Sequence, residues 1–366
     1  MPVSVVVGGQ FGSEGKGKVA LEIACRRKAA AVVRVGGTNS GHTALTPEGK
    51  LYALRQLPAA ALAPDVLVVL PPGSLIDVEI FRRETADLGL TPSRLKLDPK
   101  ATVITGGDKS AESGADLVER IGSTASGTGA ALQRRISRTS NARHVLAGHH
   151  PELGKFLCDT TSLLRALLAD GKRVVIEGTQ GFGLSILHGG FYPNATSRDT
   201  TAASFVAEAG LSPLDVDDVT LVIRTFPIRV AGNSGPLPNE TTWPKVAKEA
   251  GLPADFHELT TATKKVRRVA RFDPEIVRQA VAANNPSDIV LNHLDYVDPT
   301  VSSNNFCEVA RTFVQNIEEQ IDRPISWIGT GPASLVHRSL LDSQPNSPVS
   351  REAVEESPEL KMMMPA

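Results

Sequence analysis

The sequence predicts an α/β fold with a central, mostly parallel sheet. Short β-branched segments recur along the chain, and most are continuous apolar runs, which is typical of strands covered on both faces. Segments with helical spacing lie between them, as expected when strands and helices alternate. The predicted strands are residues 3–7, 31–35, 66–70, 102–104, 174–176, 219–224, 289–291 and 325–328.

The segments between the strands predict helices with identifiable ends. Residues 153–170 are amphipathic and are followed by Gly171, a residue type that often ends helices. Asp273 and Pro274 predict a helix start, because an Asp cap followed by Pro suits the first turn. Residues 309–321 repeat apolar side chains at helical spacing, and the Gly-, Ser-, Thr- and Arg-rich residues 107–148 predict loops or small helices covering a site.

Composition limits the function classes. The chain has 366 residues, 41% of them hydrophobic, and a net charge of −1, which argues against direct DNA binding. It lacks a long uncharged apolar run and a signal-like start, so we expect no membrane association and a cytoplasmic protein, in the host cell if the source is a virus. Three widely separated cysteines predict free thiols. We expect a single domain over residues 1–342 and a mobile tail over 343–366.

A glycine-rich loop near the start carries the strongest motif. Residues 5–18 read VVVGGQFGSEGKGK, a buried strand, then a turn, then Lys16 and a helix beginning near Val19. Such glycines let backbone N–H groups face an anion, to which a helix start and a Lys add positive charge. Five residues separate Gly9 from Gly15, which differs from the standard phosphate loop. The pattern alone therefore allows a phosphate-binding loop or a plain strand-to-helix turn.

A second glycine-rich block follows the next predicted strand. Residues 34–43 read RVGGTNSGHT and place His42 in a loop where it can approach a ligand closely. Histidine is the side chain best suited to donate a proton near neutral pH. Taken by itself, the block also fits a structural turn with an incidental His.

Both blocks resemble the adenylosuccinate synthetase family, whose members join aspartate to position 6 of a purine nucleotide. Further matching blocks follow in the same order: IGSTASGTG at 121–129, EGTQG at 177–181, Tyr192-Pro193 with Thr196-Ser197, TTA at 200–202, RVAG at 229–232 and TGP at 330–332. The resemblance extends to about residue 335, and the compact length is similar to that of archaeal and viral members. It implies that family's P-loop-like α/β fold, with flanking helices and small subdomains around the sheet.

The resemblance also implies a reaction and its site residues. A nucleoside triphosphate phosphorylates the purine 6-oxygen, and the aspartate amine then displaces the phosphoryl group. The implied catalytic residues are Ser13, Lys16 and His42, and the implied cofactor is Mg²⁺, held by Ser13 and the backbone carbonyl of Gly41. The implied purine monophosphate site comprises Ser13, Asn39, Ser123, Thr124, Arg138, Gln180 and Thr196.

The triphosphate and aspartate sites follow from the same resemblance. The first comprises Gly12, Glu14, Gly15, Lys16, Gly17, Gly41, His42, Thr43, Asn292, Asp295, Gly331 and Pro332. The second comprises Thr261, Thr263, Lys265 and Arg267. Arg138 falls where the family reaches across a two-fold axis to the partner's monophosphate, which implies a homodimer.

Ser13 departs from the family pattern, which has Asp at this position as the base on purine N1 and as a magnesium ligand. Serine is a poor base and a weaker cation ligand. The protein is then either inactive or altered in substrate. Because position 2 of the purine lies beside N1, a shorter Ser leaves space for the 2-amino group of guanine. The phage members of the family that act on dGMP are similar in this respect, so we expect dGMP and L-aspartate as substrates, in the synthesis of 2-aminoadenine DNA.

Two further departures agree with this expectation. Lys265 replaces an Arg that in the family lies near the ribose 2′-hydroxyl, and a deoxynucleotide lacks that hydroxyl. His293 replaces the Lys of the family's guanine-reading Lys-x-Asp motif, so we expect ATP or dATP as the phosphoryl donor. Asp295 could still pair with guanine, which leaves GTP open.

Alternatives remain at the level of sequence. The nearest is an ordinary adenylosuccinate synthetase that uses IMP, aspartate and GTP. A second is a nucleotide-switch protein with a phosphate loop and no aspartate site, and a third is a silent nucleotide-binding protein. The acceptor of the purine N1 proton is also open between Ser13 acting through a water, the aspartate amine and solvent.

Overall fold

A nine-stranded sheet forms the centre of the computed structural model, which describes residues 2–46, 49–138, 145–260 and 264–342. Three smaller sheets of two or three strands accompany it. The strands are β1 (Val3–Gly8), β2 (Ala31–Arg34), β3 (His42–Leu45), β4 (Leu51–Leu54), β5 (Leu67–Leu70), β6 (Leu75–Ile76), β7 (Leu95–Leu97), β8 (Thr102–Val103), β9 (Val174–Glu177), β10 (Val216–Arg224), β11 (Ile228–Arg229), β12 (Glu240–Thr241), β13 (Arg268–Ala270), β14 (Asp288–Asn292), β15 (Trp327–Ile328) and β16 (Val336–His337).

The large sheet is parallel except at one edge. Its strand order is β16-β15-β14-β10-β1-β9-β2-β5-β7, and only the β15–β16 pair runs antiparallel. The sequence-based prediction of a mostly parallel central sheet is therefore confirmed. The strand predicted at residues 102–104 is present as β8, but it pairs with β6 outside the large sheet.

Side chains on the two faces of the sheet belong to two separate hydrophobic clusters. In β1, Val5 and Val7 pack in one cluster and Val6 packs in the other. Successive residues of a strand point to opposite faces, so β1 is buried on both sides. This double burial explains why the strands appear in the sequence as continuous apolar runs.

The helices connect and cover the strands. They are α1 (Lys16–Arg26), α2 (Val78–Asp87), α3 (Gly106–Gly114), α4 (Leu117–Ile121), α5 (Thr128–Ser137), α6 (Thr160–Ala169), α7 (Ala202–Glu208), α8 (Trp243–Ala250), α9 (Pro274–Asn284), α10 (Glu308–Ile321) and α11 (Arg338–Asp342). The helix expected near Val19 begins earlier, at Lys16. The starts expected at Pro274 and near residue 309 are confirmed, and Asp273 caps α9 as predicted. None of the helices in the described part of the chain has the length and apolar character needed to cross a bilayer.

The single helix predicted over residues 153–170 is wrong. A 3-10 helix spans Pro151–Phe156, an extended stretch follows, and α6 begins only at Thr160. The break has a physical cause, because the buried Asp98 carboxylate accepts hydrogen bonds from both the backbone N–H and the hydroxyl of Thr160, at 3.1 and 2.8 Å. Asp159 also caps the new helix start, which the apolar spacing alone does not reveal.

The three cysteines are free, as the sequence predicts, and all lie in the described ranges. Residues 107–138 form the small helices α3, α4 and α5, in agreement with the expectation for that segment. The expected tail over 343–366 lies outside the described residues, and the single-domain boundary at residue 342 stays a prediction.

Candidate active site

The glycine loop follows β1 and leads directly into α1. Its N–H groups already face an anion, because the Glu14 carboxylate accepts hydrogen bonds from the backbone N–H of Gln10 at 3.1 Å and of Gly12 at 2.7 Å. Its other oxygen lies 2.7 Å from Lys16 Nζ, and both side chains are buried. The loop therefore has the geometry of an anion site, with an internal carboxylate as its present ligand.

These contacts also limit what Glu14 can do. Both carboxylate oxygens are engaged by donors, and the side chain is fully buried. A carboxylate whose two oxygens are both engaged by donors of the loop is not free to accept a proton from a ligand. Glu14 is therefore unsuited to replace the missing Asp as the base on a purine.

Ser13 differs from its neighbours in the loop because it is exposed. Its backbone lies in the left-handed region, with φ of 56°, which a residue other than glycine adopts at a cost of about 1–2 kcal/mol. Arg224 holds this conformation by donating from Nη1 to the Ser13 carbonyl at 3.0 Å. The Ser13 hydroxyl, at the expected specificity position, is therefore attached to a backbone that Arg224 holds in place.

His42 begins β3 and is buried against Glu177 at the end of β9. Its Nδ1 lies 2.5 Å from Glu177 Oε1. The same carboxylate accepts hydrogen bonds from the backbone N–H of Ala59 at 3.1 Å and Ala60 at 3.3 Å. A carboxylate only accepts, so Nδ1 carries the proton and Nε2 is left with a lone pair.

Arg34 completes this buried group. Its Nη1 lies 3.3 Å from His42 Nδ1 and donates to the Gly178 carbonyl at 3.0 Å. Burial lowers the pKa of His42, the Arg34 charge lowers it further, and despite Glu177 the value falls to about 4. Without ligands, His42 is therefore neutral at physiological pH.

The glycine loop and His42 lie in contact through Gly17, in the first turn of α1. A Cβ at Gly17 would lie 2.7 Å from the Ala59 Cβ and 3.2 Å from the His42 Cβ. Only the absence of a side chain allows this approach. Two of the expected catalytic residues, Lys16 and His42, are thus brought to the same end of the sheet, the usual place of ligand sites in α/β folds.

The expected monophosphate residues are widely separated along the chain, and the structure brings two of them, Asn39 and Thr196, into contact. Asn39 Nδ2 donates to Thr196 Oγ1 at 3.4 Å, which joins positions 157 residues apart. The backbone carbonyl of Gln180, which has φ of 60°, lies close to Gly8 of the glycine loop. Thr124 bonds through its hydroxyl to Ser126 at 2.8 Å.

The remaining monophosphate residues lie near the two ends of α5. Ser123, before the helix, accepts a hydrogen bond from the Ala125 N–H at 3.1 Å. Glu112 accepts from the N–H groups of the first turn, at distances of 2.6–3.2 Å. Arg138 follows the helix end with φ of 55° and is exposed, and its side chain donates to the nearby Ile136 carbonyl at 3.2 Å. Its exposure leaves it accessible to a second subunit.

The expected base pocket of the triphosphate lies at the end of β14. Asn292 donates to the Glu14 carbonyl at 2.7 Å, and its Oδ1 is buried without a partner among the described residues. Asp295 Oδ1 is in the same state, and burial raises the pKa of Asp295. Lys18 donates to the carbonyls of Gly331 at 2.9 Å and Ser334 at 3.1 Å. Asn292 and Asp295 therefore each have one buried side-chain oxygen without a partner in the described part of the chain.

The other expected triphosphate residues surround the loop. Gly12 and Gly15 have φ of 94° and 90°, values that favour glycine. Gly41 precedes β3, and Thr43 lies within β3 with its side chain exposed. Pro332 follows Gly331.

Two of the expected aspartate residues, Lys265 and Arg267, lie in the antiparallel stem of a hairpin formed by residues 258–260 and 264–267. Thr261 and Thr263 lie outside the described residues. In the stem, Arg267 N–H donates to the Glu258 carbonyl at 2.8 Å, and Arg267 Nε lies 3.8 Å from the Glu258 carboxylate. Lys265 is exposed, and its N–H donates to Thr260 Oγ1 at 2.9 Å. Arg267 thus already lies beside an internal carboxylate.

The residues expected to hold Mg²⁺ are a hydroxyl and a backbone carbonyl. Within the described ranges, no group of three or more His, Cys, Asp or Glu side chains could hold a metal ion. Mg²⁺ commonly keeps waters and takes several ligands from substrate phosphates. Ser13 and Gly41 alone therefore do not form a complete protein cage for such a cation.

Four residues that shape the site were not assigned roles from the sequence. Glu177 and Arg34 occur in the blocks that carry the family resemblance. The amino-acid sequence alone, however, does not show that their side chains meet at His42. Arg224 carries a weaker signal, since a charged residue ending a long apolar run indicates only a strand end, and Glu258 lies in a polar segment that gives no signal. Their contacts depend on the sheet order, which places β1 beside β10.

Comparison with known proteins places this chain in a family. The sequence profile of adenylosuccinate synthetase matches residues 5–149 and 141–302. The adenylosuccinate synthetase of Thermococcus sibiricus is 36% identical over 340 residues, which cover 91% of this chain and 96% of that protein. That of Methanocaldococcus jannaschii is 36% identical over 338 residues, covering 90% and 94%.

Two solved structures extend the comparison. The cyanophage S-2L succinoaminodeoxyadenylate synthetase PurZ, bound to dGMP and to dATP as an energy donor, matches with a TM-score of 0.77 and 28% identity, covering 93% of this chain and 97% of that one. Fully ligated adenylosuccinate synthetase from Plasmodium falciparum shares the fold, with a TM-score of 0.81, 22% identity, and coverage of 92% and 100%. The chain therefore belongs to the adenylosuccinate synthetase family of ligases.

Proposed function

We propose that this ligase joins L-aspartate to carbon 6 of dGMP, with an adenine triphosphate, ATP or dATP, as phosphoryl donor. The product would be 2-amino-2′-deoxy-N6-succinyladenylate, a precursor of 2-aminoadenine DNA. The observation that carries the proposal is Ser13, exposed on the glycine loop at the position where the family has Asp. The cyanophage neighbour bound to dGMP and dATP supports it.

The reaction has two steps. In the first, the purine 6-oxygen attacks the γ-phosphorus, the bond to the β,γ-bridging oxygen breaks, the nucleoside diphosphate leaves, and the N1 proton is lost. In the second, the aspartate amine attacks carbon 6, the carbon–oxygen bond breaks, inorganic phosphate leaves, and the amine loses a proton. The protein's task in the first step is positioning and stabilisation of negative charge.

His42 and Glu177 suit that task. The incoming phosphates carry negative charge, which raises the pKa of a neighbouring imidazole. Protonated Nε2 can then donate to the oxygens of the transferring group, while Glu177 stabilises the positive ring through Nδ1–H. We assign Lys16 to the γ-phosphate, with the loop N–H groups now held by Glu14 as further donors.

The purine monophosphate is proposed to lie between Asn39, Thr196, Gln180 and the Ser123–Thr124 turn. The 3.4 Å contact between Asn39 and Thr196 supports a shared site. We further propose that Arg138 reaches the monophosphate of a partner subunit in a homodimer. Its exposure at the end of α5 is consistent with that role.

The aspartate carboxylate is proposed to bind Arg267, with Lys265, Thr261 and Thr263 around it. An Arg fork suits a carboxylate because two parallel N–H donors match its two oxygens. In the present structure the neighbouring carboxylate is Glu258, 3.8 Å from Arg267 Nε. The proximity supports a site that attracts carboxylates.

The base of the triphosphate is proposed to meet Asn292 and Asp295, with Gly331 and Pro332 at the rim. Both side chains present a buried acceptor without a described partner. The amino group of adenine supplies two N–H donors, which match two acceptors. Mg²⁺ would be held by Ser13 and the Gly41 carbonyl together with phosphate oxygens, and it would supply positive charge that neutralises the phosphates.

The second candidate is the ordinary family reaction, with IMP and GTP. It is favoured by the archaeal relatives, which are named adenylosuccinate synthetases at 34–36% identity. The two candidates differ in the purine accepted by the wild-type protein, so substrate preference separates them.

Product formation by mass spectrometry tests the proposal. The protein is incubated with aspartate and Mg²⁺ and with dGMP, GMP or IMP, each against ATP, dATP or GTP. Succinylated product from dGMP with an adenine triphosphate is the expected result. Product from IMP and GTP alone would refute the dGMP assignment and support the ordinary reaction.

Ser13→Asp tests the residue that carries the proposal. The longer carboxylate fills the space beside position 2, so we expect kcat/KM for dGMP to fall at least tenfold, about 1.4 kcal/mol of transition-state binding. Ser13→Ala is the matched control for loss of the hydroxyl without added bulk. Unchanged dGMP use in Ser13→Asp would contradict the proposed role.

A further inference from the structure

Arg224 connects the strand β10 to the glycine loop through three hydrogen bonds. Its backbone N–H donates to Gln10 Oε1 at 2.9 Å, and its carbonyl accepts from Gln10 Nε2 at 3.1 Å. Its guanidinium Nη1 donates to the Ser13 carbonyl at 3.0 Å. Although Arg224 lies more than 200 residues from the loop in sequence, it holds the loop at two points.

The second contact fixes an unfavourable backbone conformation. Ser13 has φ of 56°, and its side chain is exposed while those on either side of it, Gly12 and Glu14, are buried. If the peptide relaxed to a right-handed conformation, the Ser13 carbonyl and hydroxyl would both change direction. The bond from Arg224 opposes that change, because it requires the carbonyl to point at the guanidinium.

Arg224 is itself held by Glu258. The guanidinium is completely buried and forms a close ion pair with the Glu258 carboxylate through Nη2. The charges around this carboxylate keep it ionised, since its pKa is about 2 although burial raises it. Two ends of one guanidinium therefore join Ser13 to the hairpin that carries Arg267.

We infer that Arg224 is a positioning residue for purine selection, which fixes the Ser13 backbone so that the Ser13 hydroxyl faces the 2-amino group of the substrate. This inference rests on the proposed function. Arg224 touches Ser13 and Glu258, and its action on the purine passes through Ser13. Glu258 anchors the guanidinium in the direction that this contact needs.

The selectivity between dGMP and dIMP is the readout, because the two substrates differ only in the 2-amino group. We expect Arg224→Lys to lower the ratio of kcat/KM for dGMP to that for dIMP about tenfold, since one ammonium cannot serve both Ser13 and Glu258 with the geometry of a fork. In the Ser13→Ala background, the same change should leave the ratio unaltered. A general loss of structure would lower kcat/KM for dGMP and for dIMP by the same factor and would leave their ratio unchanged.

Arg165→Lys is the matched control. Arg165 also forms a forked ion pair with a buried carboxylate, that of Asp215, but contacts no part of the proposed site. We expect its dGMP to dIMP ratio to equal that of the wild type. A fall in this control as large as in Arg224→Lys would overturn the specific role of Arg224.

Glu258→Gln provides a second route if Arg224→Lys does not fold. It keeps the shape of the anchor and removes its charge, and we expect the ratio to fall about threefold at saturating aspartate. A wild-type ratio in this variant, or in folded Arg224→Lys, overturns the inference and leaves the proposed function standing. A wild-type protein that forms product only from IMP overturns both.

Discussion

Replacing Glu177 by Gln tests how His42 is prepared for phosphoryl transfer. The Glu177 carboxylate accepts from His42 Nδ1 at 2.5 Å and from two backbone N–H groups, of Ala59 and Ala60. An amide keeps one acceptor, loses the charge, and turns two N–H donors toward a site that already contains donors. The ring then loses both its fixed tautomer and the support for its protonated form.

The size of the effect follows from the bond that is lost. A hydrogen bond to a charged group is worth about 1.5–3 kcal/mol. If the bond strengthens only as the ring gains positive charge, its loss appears in kcat, as a decrease of about 10- to 150-fold. Glu177 itself would contact neither nucleotide, so we expect KM for dGMP and for the triphosphate to change less than about threefold.

Steady-state kinetics with the preferred purine would measure this change, and ¹⁵N NMR of His42 would report the tautomer. In the ligand-free wild type we expect Nδ1–H and no titration between pH 8 and 5, because the pKa of His42 is about 4. In Glu177→Gln the tautomers should mix. Since Glu177 raises the pKa of His42, its removal moves that pKa lower still.

Glu84→Gln is the matched control for this experiment. Glu84 is equally buried and also accepts backbone N–H groups, those of Arg55, Gln56 and Leu57, but it does not contact His42. The Glu84→Gln variant should have a lower free energy of unfolding than the wild type, and the tautomer of His42 should be unchanged. If folded Glu177→Gln retained wild-type kcat and a single tautomer, the assigned link between the two residues would be refuted.

Three further outcomes follow from other contacts. Gly181→Ala should reduce activity at least 100-fold, because a Cβ there would lie 2.4 Å from Glu14 Oε1, whereas Gly154→Ala meets nothing within 4 Å and should be silent. Folding lowers the pKa of His42 from 6.5 to about 4, so its neutral form adds stability that is fully present above pH 6.5 and is lost as pH falls toward 4. Wild type should therefore lose about 3 kcal/mol more than His42→Asn across that interval in denaturant titrations. Glu112→Gln should lower the free energy of unfolding by about 1–2 kcal/mol, because the carboxylate caps α5, and unchanged denaturation midpoints would contradict this.

Seven of the nine strands of the large sheet were predicted from their apolar runs, and the two edge strands, β7 and β16, were not. Continuous apolar runs such as residues 66–70 and 289–291 are too short for helices and are typical of strands covered on both faces. The segment 153–170 was not predictable in the same way, since its apolar spacing continues across a break set by Asp98, more than 50 residues earlier. The apolar periodicity predicts which face of a segment is buried. It does not predict a helix break that is caused by a carboxylate far away in the sequence.

The residues of the candidate site fall into the same two groups, those that the sequence indicates and those that it does not. Ser13, Lys16 and His42 stand in short motifs whose residue types suggest their chemistry. Glu177 and Arg224 act through contacts across the sheet, and their types are ordinary for strand ends. Such contacts depend on strand order, which a single sequence does not encode locally.

The carboxylate of Glu14 in the glycine loop has a consequence for which anions can enter. A ligand must exchange with a tethered competitor whose effective concentration is of millimolar order or higher. A single weak anion, such as sulfate or inorganic phosphate, gains too little to displace it, whereas a polyphosphate gains several contacts at once. The loop would therefore act as a filter that rejects the abundant small anions of the cell.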